Sequence, residues 1–234
     1  MKRLIQGLSS FWLIKSFSTS IGKKIVMAIT GLALCGFLVV HLAGNLLLYV
    51  GDNGKKYNEY AHALHAQEHL LLVAEIGLFV LFVGHIWLAF VTKVENDAAR
   101  PIGYAKFQSK MEEGPLAAPA SSVMFATGIV VLLFLILHLV DFKFELRYSD
   151  ELKSLEPFDK ARLLLTDWVS FVVYIAGSAV LGYHVLHGFQ SACQTLGINH
   201  PKYTPIIKFL SVVFAITVAL GFGSFPLWAW AFKP

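Results

Sequence analysis

Ile25-Val-Met-Ala-Ile-Thr-Gly-Leu-Ala-Leu-Cys-Gly-Phe-Leu-Val-Val-His41-Leu-Ala-Gly-Asn-Leu-Leu-Leu-Tyr49 contains no Asp, Glu, Lys or Arg. A helix rises about 1.5 Å per residue, so about 20 such residues cross the hydrocarbon of a membrane. This stretch is long enough. Four more follow, at about 70–92, 121–141, 168–192 and 206–231. The chain has 234 residues, 56% hydrophobic and 15% charged, against about 25% charged in a soluble domain. The reading is an all-α integral membrane protein: one bundle of five transmembrane helices, residues 1–234, with no room for a second domain.

Four of the five spans carry a histidine past their midpoint: His41, His85, His138 and His184. An ionisable side chain in hydrocarbon is costly and usually has a ligand or a partner. Consecutive spans run in opposite directions. His41 and His138 therefore fall near one face, and His85 and His184 near the other. By helix rise the two layers differ by roughly 13 Å. Two pairs at two depths are the geometry of two stacked haems, each held by two histidines. Such a centre is low-spin and transfers single electrons. Gly36 and Gly44 flank His41, Gly84 precedes His85, and Gly177, Gly182 and Gly188 surround His184, leaving room for a flat macrocycle. Small residues also serve plain helix packing in membranes. His187, one turn beyond His184, competes for the fourth position, with propionate contact or pocket lining as its other role.

Charge sets the orientation. With the N-terminus inside, the inner segments 1–24, 93–120 and 193–208 hold eleven Lys/Arg against four acids, Glu95, Asp97, Glu112 and Glu113. That bias follows the positive-inside rule and puts the C-terminus outside. The outer pair is then His41 with His138, and the inner pair His85 with His184. Residues 4–19 suit an interfacial helix before a retained first span, and Ser20 can cap that span. Gly51-Asp52-Asn53-Gly54 is a turn, and Tyr57 to Leu70 can run as helix into span two. Residues 142–167 read as a polar outer loop. Pro101, Gly103, Gly114, Pro115 and Pro119 break the chain between spans two and three. Cys35 and Cys193 stand in different spans and read as free thiols. Without a CxxC or CxxCH there is no zinc knuckle, cluster motif or covalent haem. Nothing in the chain calls for nucleic acid. No internal repeat stands out.

Glu75 is the one acid well inside span two, close to the level of the outer pair. A carboxylate there suits the protons of a quinol, or a bond to a neighbouring helix. His62, His65 and His69 have the spacing of one helix face and read as the rim of a quinone pocket rather than a metal site. Asn45, one turn after His41, can donate to a haem propionate or between helices. Asp141 and Asp167 read as water-facing span ends.

Further pieces carry a resemblance. These are Ser20-Ile-Gly-Lys-Lys-Ile-Val-Met-Ala-Ile-Thr-Gly31, His41-Leu-Ala-Gly-Asn-Leu46, Phe82-Val-Gly-His85-Ile, Leu137-His138-Leu, and His184-Val-Leu-His-Gly188-Phe with Leu196-Gly197. Over nearly its whole length the chain resembles the di-haem cytochrome b membrane anchors of succinate dehydrogenases and fumarate reductases, of the five-span single-anchor type. In that family the fourth ligand is followed by glycine at the fourth and about the thirteenth position. Gly188 and Gly197 then select His184 over His187. The resemblance implies two haem b, with ligands paired from spans one and three and from spans two and four. It implies an FAD flavoprotein and an iron–sulfur subunit docked on the cytoplasmic face of a bacterial inner membrane, with succinate chemistry on the flavoprotein. It implies a quinone, commonly menaquinone, bound toward the outer side among membrane lipid. A dimer or trimer of complexes stays open. Some members carry a proton-transferring Glu two residues before the fourth ligand; here that residue is Gly182. Two other classes use the same ingredients: the cytochrome b of another quinone-linked dehydrogenase or hydrogenase, and a haem-free proton-relay transporter.

Overall fold

The computed structural model describes residues 12–99 and 120–232, with the side chains of 12–14 and 120–122 left aside. Among the described residues there are helices and no strand. They are α1 (Trp12–Phe17), α2 (Ser20–Asn45), α3 (Lys55–His65), α4 (Glu68–Ala98), α5 (Ala120–Phe142), α6 (Ser149–Leu152), α7 (Pro157–Thr166), α8 (Trp168–Thr195) and α9 (Thr204–Ala231). Helices α2, α4, α5, α8 and α9 are the spans, one to five, each long and apolar enough to cross a membrane. Their flanks are not buried within the protein. Val73, Phe79, Leu133, Phe209 and Leu220 are each more than 60% exposed. In water that would be a large apolar patch; against lipid it is the solvent-facing surface. The chain is an all-α, multi-pass membrane protein. Residues 1–11, which include the start of the expected interfacial helix, and the breakers Pro101 to Pro119 lie outside the described residues.

The span ends show where polar chemistry stops each helix. Thr19, not Ser20, caps span one: its backbone is extended and its hydroxyl accepts from the Gly22 amide at 3.0 Å. Span one closes with a tight 3-10 turn over Leu46–Tyr49. Span two outlasts its apolar run by about a turn and a half, to Ala98. Lys93 pairs with Asp97 on its own helix, and Glu95 pairs with Lys23 of span one. Those pairs keep a polar segment helical. Asp167 caps span four, accepting from the Ser170 amide at 2.9 Å.

Spans one to four form a square. Span one packs on two and four, and span three packs on four and grazes two, while one against three and two against four are the diagonals. Span five lies along span four. It fits because Gly182 has no side chain: a Cβ there would sit 2.7 Å from the Ala219 Cβ and 2.9 Å from the Ala215 carbonyl oxygen.

Residues 142–167 are not a plain polar loop. Glu156-Pro157 starts α7, whose Ala161, Leu164 and Leu165 are buried, and Leu152 of α6 is fully buried. Helix α7 packs on α3 across the bundle end. The Phe158 amide donates to Asn58 Oδ1 at 2.9 Å. The Phe158 ring fills the place a side chain would take at Gly54, a left-handed turn residue. The two short helices close the face where span one ends, called here the C-terminal face.

Candidate functional site

The diagonals carry the histidines. His41 of span one and His138 of span three face each other with ring centroids 5.8 Å apart. Their surroundings are aromatic. Phe37 stacks on His41 at 5.2 Å, and Phe222 of span five lies at 5.7 Å. Phe134, Phe142 and Tyr174 lie around His138 at 5.2–6.2 Å. On the other diagonal His85 and His184 lie close enough to interact electrostatically.

This second pair is seated by the helices of the first. Thr30 Oγ1 of span one lies 3.2 Å from His85 Nδ1, and Thr127 Oγ1 of span three lies 3.1 Å from His184 Nδ1. The residue after each threonine is glycine. A Cβ at Gly31 would meet His85 Cε1 at 3.2 Å, and one at Gly128 would meet His184 Cε1 at 3.5 Å. Eleven residues separate Thr30 from His41, and eleven separate Thr127 from His138. Both spans therefore give the same layer separation, ~16 Å by helix rise. Spans one and three do share a short internal repeat: Thr-Gly, then His at the same offset. The histidines and their neighbouring glycines alone do not reveal it. Its signal was the recurrence of Thr-Gly at one fixed distance.

No family model, curated protein or solved structure matches the chain. The chemistry of the site rests on its own residues. They fit two haems held by histidine pairs. One histidine pair stands on each diagonal of the square, His41 with His138 and His85 with His184. Nothing lies within 4 Å of a Cβ placed at Gly84 or Gly36, but Gly36 is on the exposed flank of span one. The other glycines of the sequence reading do different work. Gly44 faces Tyr60 of α3, Gly177 faces Phe134, and Gly182 receives span five. Of the two neighbouring histidines on span four, His184 is the one that meets Thr127. His187 sits edge-on to Tyr183 at 4.7 Å.

The remaining expectations divide. Glu75 lines an apolar cavity of about 360 Å³ between spans one and two, with Phe37, Leu71, Leu78 and Leu81. Phe37 is the ring stacked on His41. Glu75 is ion-paired with Lys143, just past span three, a partner the sequence reading did not name. Asn45 donates its amide to the His41 carbonyl at 2.8 Å, on its own helix. His62, His65 and His69 do not share one helix face, because α3 ends at His65 and span two starts at Glu68. His62 pairs with Glu156 and His65 bonds the Ala61 carbonyl. All three are exposed. No group of three metal-ligating side chains occurs among the described residues. Cys35 and Cys193 are free.

Asp141 is not a water-facing end. It is fully buried, because Arg147 reaches back over the end of span three. Arg147 Nη2 donates to Asp141 Oδ2 at 2.9 Å and Nε donates to Oδ1, while the Tyr174 hydroxyl donates to Oδ2 at 3.0 Å. Arg147 also bonds Ser170 and, at 3.4 Å, Asp167. The bond to Asp141 pushes the Arg147 pKa further up. Burial alone would raise the Asp167 carboxyl. Bonds from the Ser170 amide, Tyr148, the Ser170 hydroxyl and Arg147 outweigh burial and hold it below its ordinary value. The network joins spans three and four one turn from His138, and Tyr174 belongs to both.

Proposed function

We propose that the chain is the di-haem cytochrome b anchor of a succinate:quinone oxidoreductase, a succinate dehydrogenase or fumarate reductase. It would join electron transfer from an iron–sulfur partner to a quinone in the membrane. The observation that supports this best is the meeting of four histidines as two diagonal pairs at two levels. His41 and His138 would hold one haem b, and His85 and His184 the other. When bound, such a group supplies one-electron redox chemistry without a vacant position for substrate.

The residues of the chain do the rest. The aromatic rings around His41 and His138 exclude water. The cavity on Phe37 offers an apolar slot for a quinone ring, menaquinone by family resemblance. Glu75 at its wall, held in an ion pair with Lys143, can take a quinol proton. The excess of Lys and Arg at the N-terminal face supports a cytoplasmic N-terminus in a bacterial inner membrane. On that orientation an iron–sulfur and an FAD subunit dock beside His85 and His184.

The test is a reduced-minus-oxidised visible spectrum with haemochrome quantitation on the purified membrane complex. The expected result is about two haem b per chain. His41→Ala and His138→Ala should lose the same haem, and His85→Ala and His184→Ala the other. A folded, haem-supplied preparation without haem would overturn the proposal.

A further inference from the structure

The threonines that face His85 and His184 have a chemical polarity that the histidines alone do not reveal. A threonine hydroxyl has one hydrogen to give. Thr30 directs it back along its own helix, to the Val26 carbonyl at 2.9 Å and the Met27 carbonyl at 3.0 Å. Thr127 directs it to the Met124 carbonyl at 3.0 Å. With that hydrogen committed, each Oγ1 can only accept from the imidazole nitrogen beside it. Each Nδ1 therefore carries the proton, and each Nε2 keeps a free lone pair. A proton on Nε2 instead would leave neither ring able to bind iron through that nitrogen.

We infer that Thr30 and Thr127 are a matched pair of positioning residues that fix His85 and His184 as Nδ1–H tautomers and thereby tune the haem at that level. This rests on the di-haem reading above. A hydroxyl accepting from the distal nitrogen of a ligating histidine orients the ring and raises its basicity. A more basic ligand favours ferric over ferrous iron, so each threonine lowers the midpoint potential of the haem it serves. The two residues sit on different spans, 97 positions apart in the chain (Thr30 and Thr127), yet act on one centre. The centre at His41 and His138 has aromatic neighbours in their place. Gly31 and Gly128 belong to the same device, because they leave the room in which each ring lies against its threonine.

The experiment is a redox titration of the whole membrane complex carrying Thr30→Val, Thr127→Val, Thr30→Ser or Thr127→Ser. Valine keeps the shape and removes the acceptor; serine keeps the acceptor. Both valine variants should raise the midpoint of the haem that His85→Ala abolishes. They should also weaken its retention by 10-fold or more, within the range for lost ligand-orienting bonds. Both serine variants should restore wild-type behaviour, and the other haem should not move. If a valine variant does not assemble, electron–nuclear double resonance on the wild-type ferric protein reads the same contact, as Nδ1 protons on both ligands of that haem that are more strongly hydrogen-bonded than those of the other haem. Two haems with unshifted midpoints in the valine variants, a shift in the other haem, or Nδ1 protons equally hydrogen-bonded in both haems would overturn this inference and leave the di-haem reading standing. A wild-type complex without haem would sink both.

Discussion

Arg147→Met should be among the most damaging single changes outside the histidines. Asp141 has no exposure, and its carboxylate is balanced by a two-pronged guanidinium and one tyrosine hydroxyl. Methionine keeps much of the stem volume and removes the charge. The carboxylate is then left buried against Tyr174 alone. Removing one partner of a buried pair costs about 3–5 kcal/mol, most of it the penalty of the orphaned charge. Tyr174→Phe removes a single interhelical hydrogen bond, and such bonds average about 0.6 kcal/mol in a membrane protein. The expected order is therefore Arg147→Met well above Tyr174→Phe. Asp141→Asn combined with Arg147→Met should recover much of the loss, because no charge remains to be compensated. The assay is reversible unfolding in mixed micelles by detergent titration, with a double-mutant cycle over Asp141 and Arg147. If Arg147→Met costs no more than Tyr174→Phe, or if the double variant is no better than Arg147→Met alone, the ionic network does not hold spans three and four together.

Gly182→Ala should destabilise by about 1–3 kcal/mol, the usual cost of overpacking, because its Cβ collides with Ala219 and the Ala215 carbonyl. An unfolding midpoint equal to wild type would show that span five is not seated there. Glu75→Gln and Lys143→Met should each slow quinol or quinone turnover while both haem bands stay in place. Unchanged turnover in both would remove the pair from the quinone site. The Asp167 carboxyl is held below its ordinary value near 3.8. Its contribution is thus complete above that value and is lost as pH falls from there through the lower, folded-state one. Asparagine keeps the cap and removes the titrating charge, so Asp167→Asn should flatten part of the acid limb of a stability–pH curve; an identical limb would clear Asp167.

Much of this arrangement was legible because membranes impose one rule. A long apolar run has few alternatives to a spanning helix, and strict alternation of direction then sorts His41 with His138 and His85 with His184. What the sequence hid was local polar bookkeeping. Asp141 and Arg147 are six residues apart across a chain reversal, so no periodicity links them, and the acid read as a water-facing end. Glu95 and Asp97 looked like loop because their lysine partners, Lys23 and Lys93, lie on another helix and one turn back. Residues 62 to 69 kept helical spacing through a real break at Ala66-Gln67, since neither residue is a breaker by type. Leu163-Leu164-Leu165 behind Glu156-Pro157 did announce α7, but charged neighbours masked it.

The offset between threonine and histidine carries one more consequence. At about 100° per residue, eleven residues bring a helix back to within about 20° of its starting direction after three turns. Thr30 and His41 therefore look the same way, as do Thr127 and His138. One face of span one and one face of span three each serve both levels of the bundle. Spans two and four contribute one histidine apiece and are guests between those faces. A helix that must present a histidine at one level and a threonine to another histidine at the other cannot rotate to improve either without spoiling its mate. The apolar flanks that face lipid impose no such rule, since one greasy side chain replaces another there at little cost. The two levels are thus fixed to each other by the geometry of spans one and three rather than by the lipid around them. The Thr-Gly and His positions of those two spans are where this fold has least freedom.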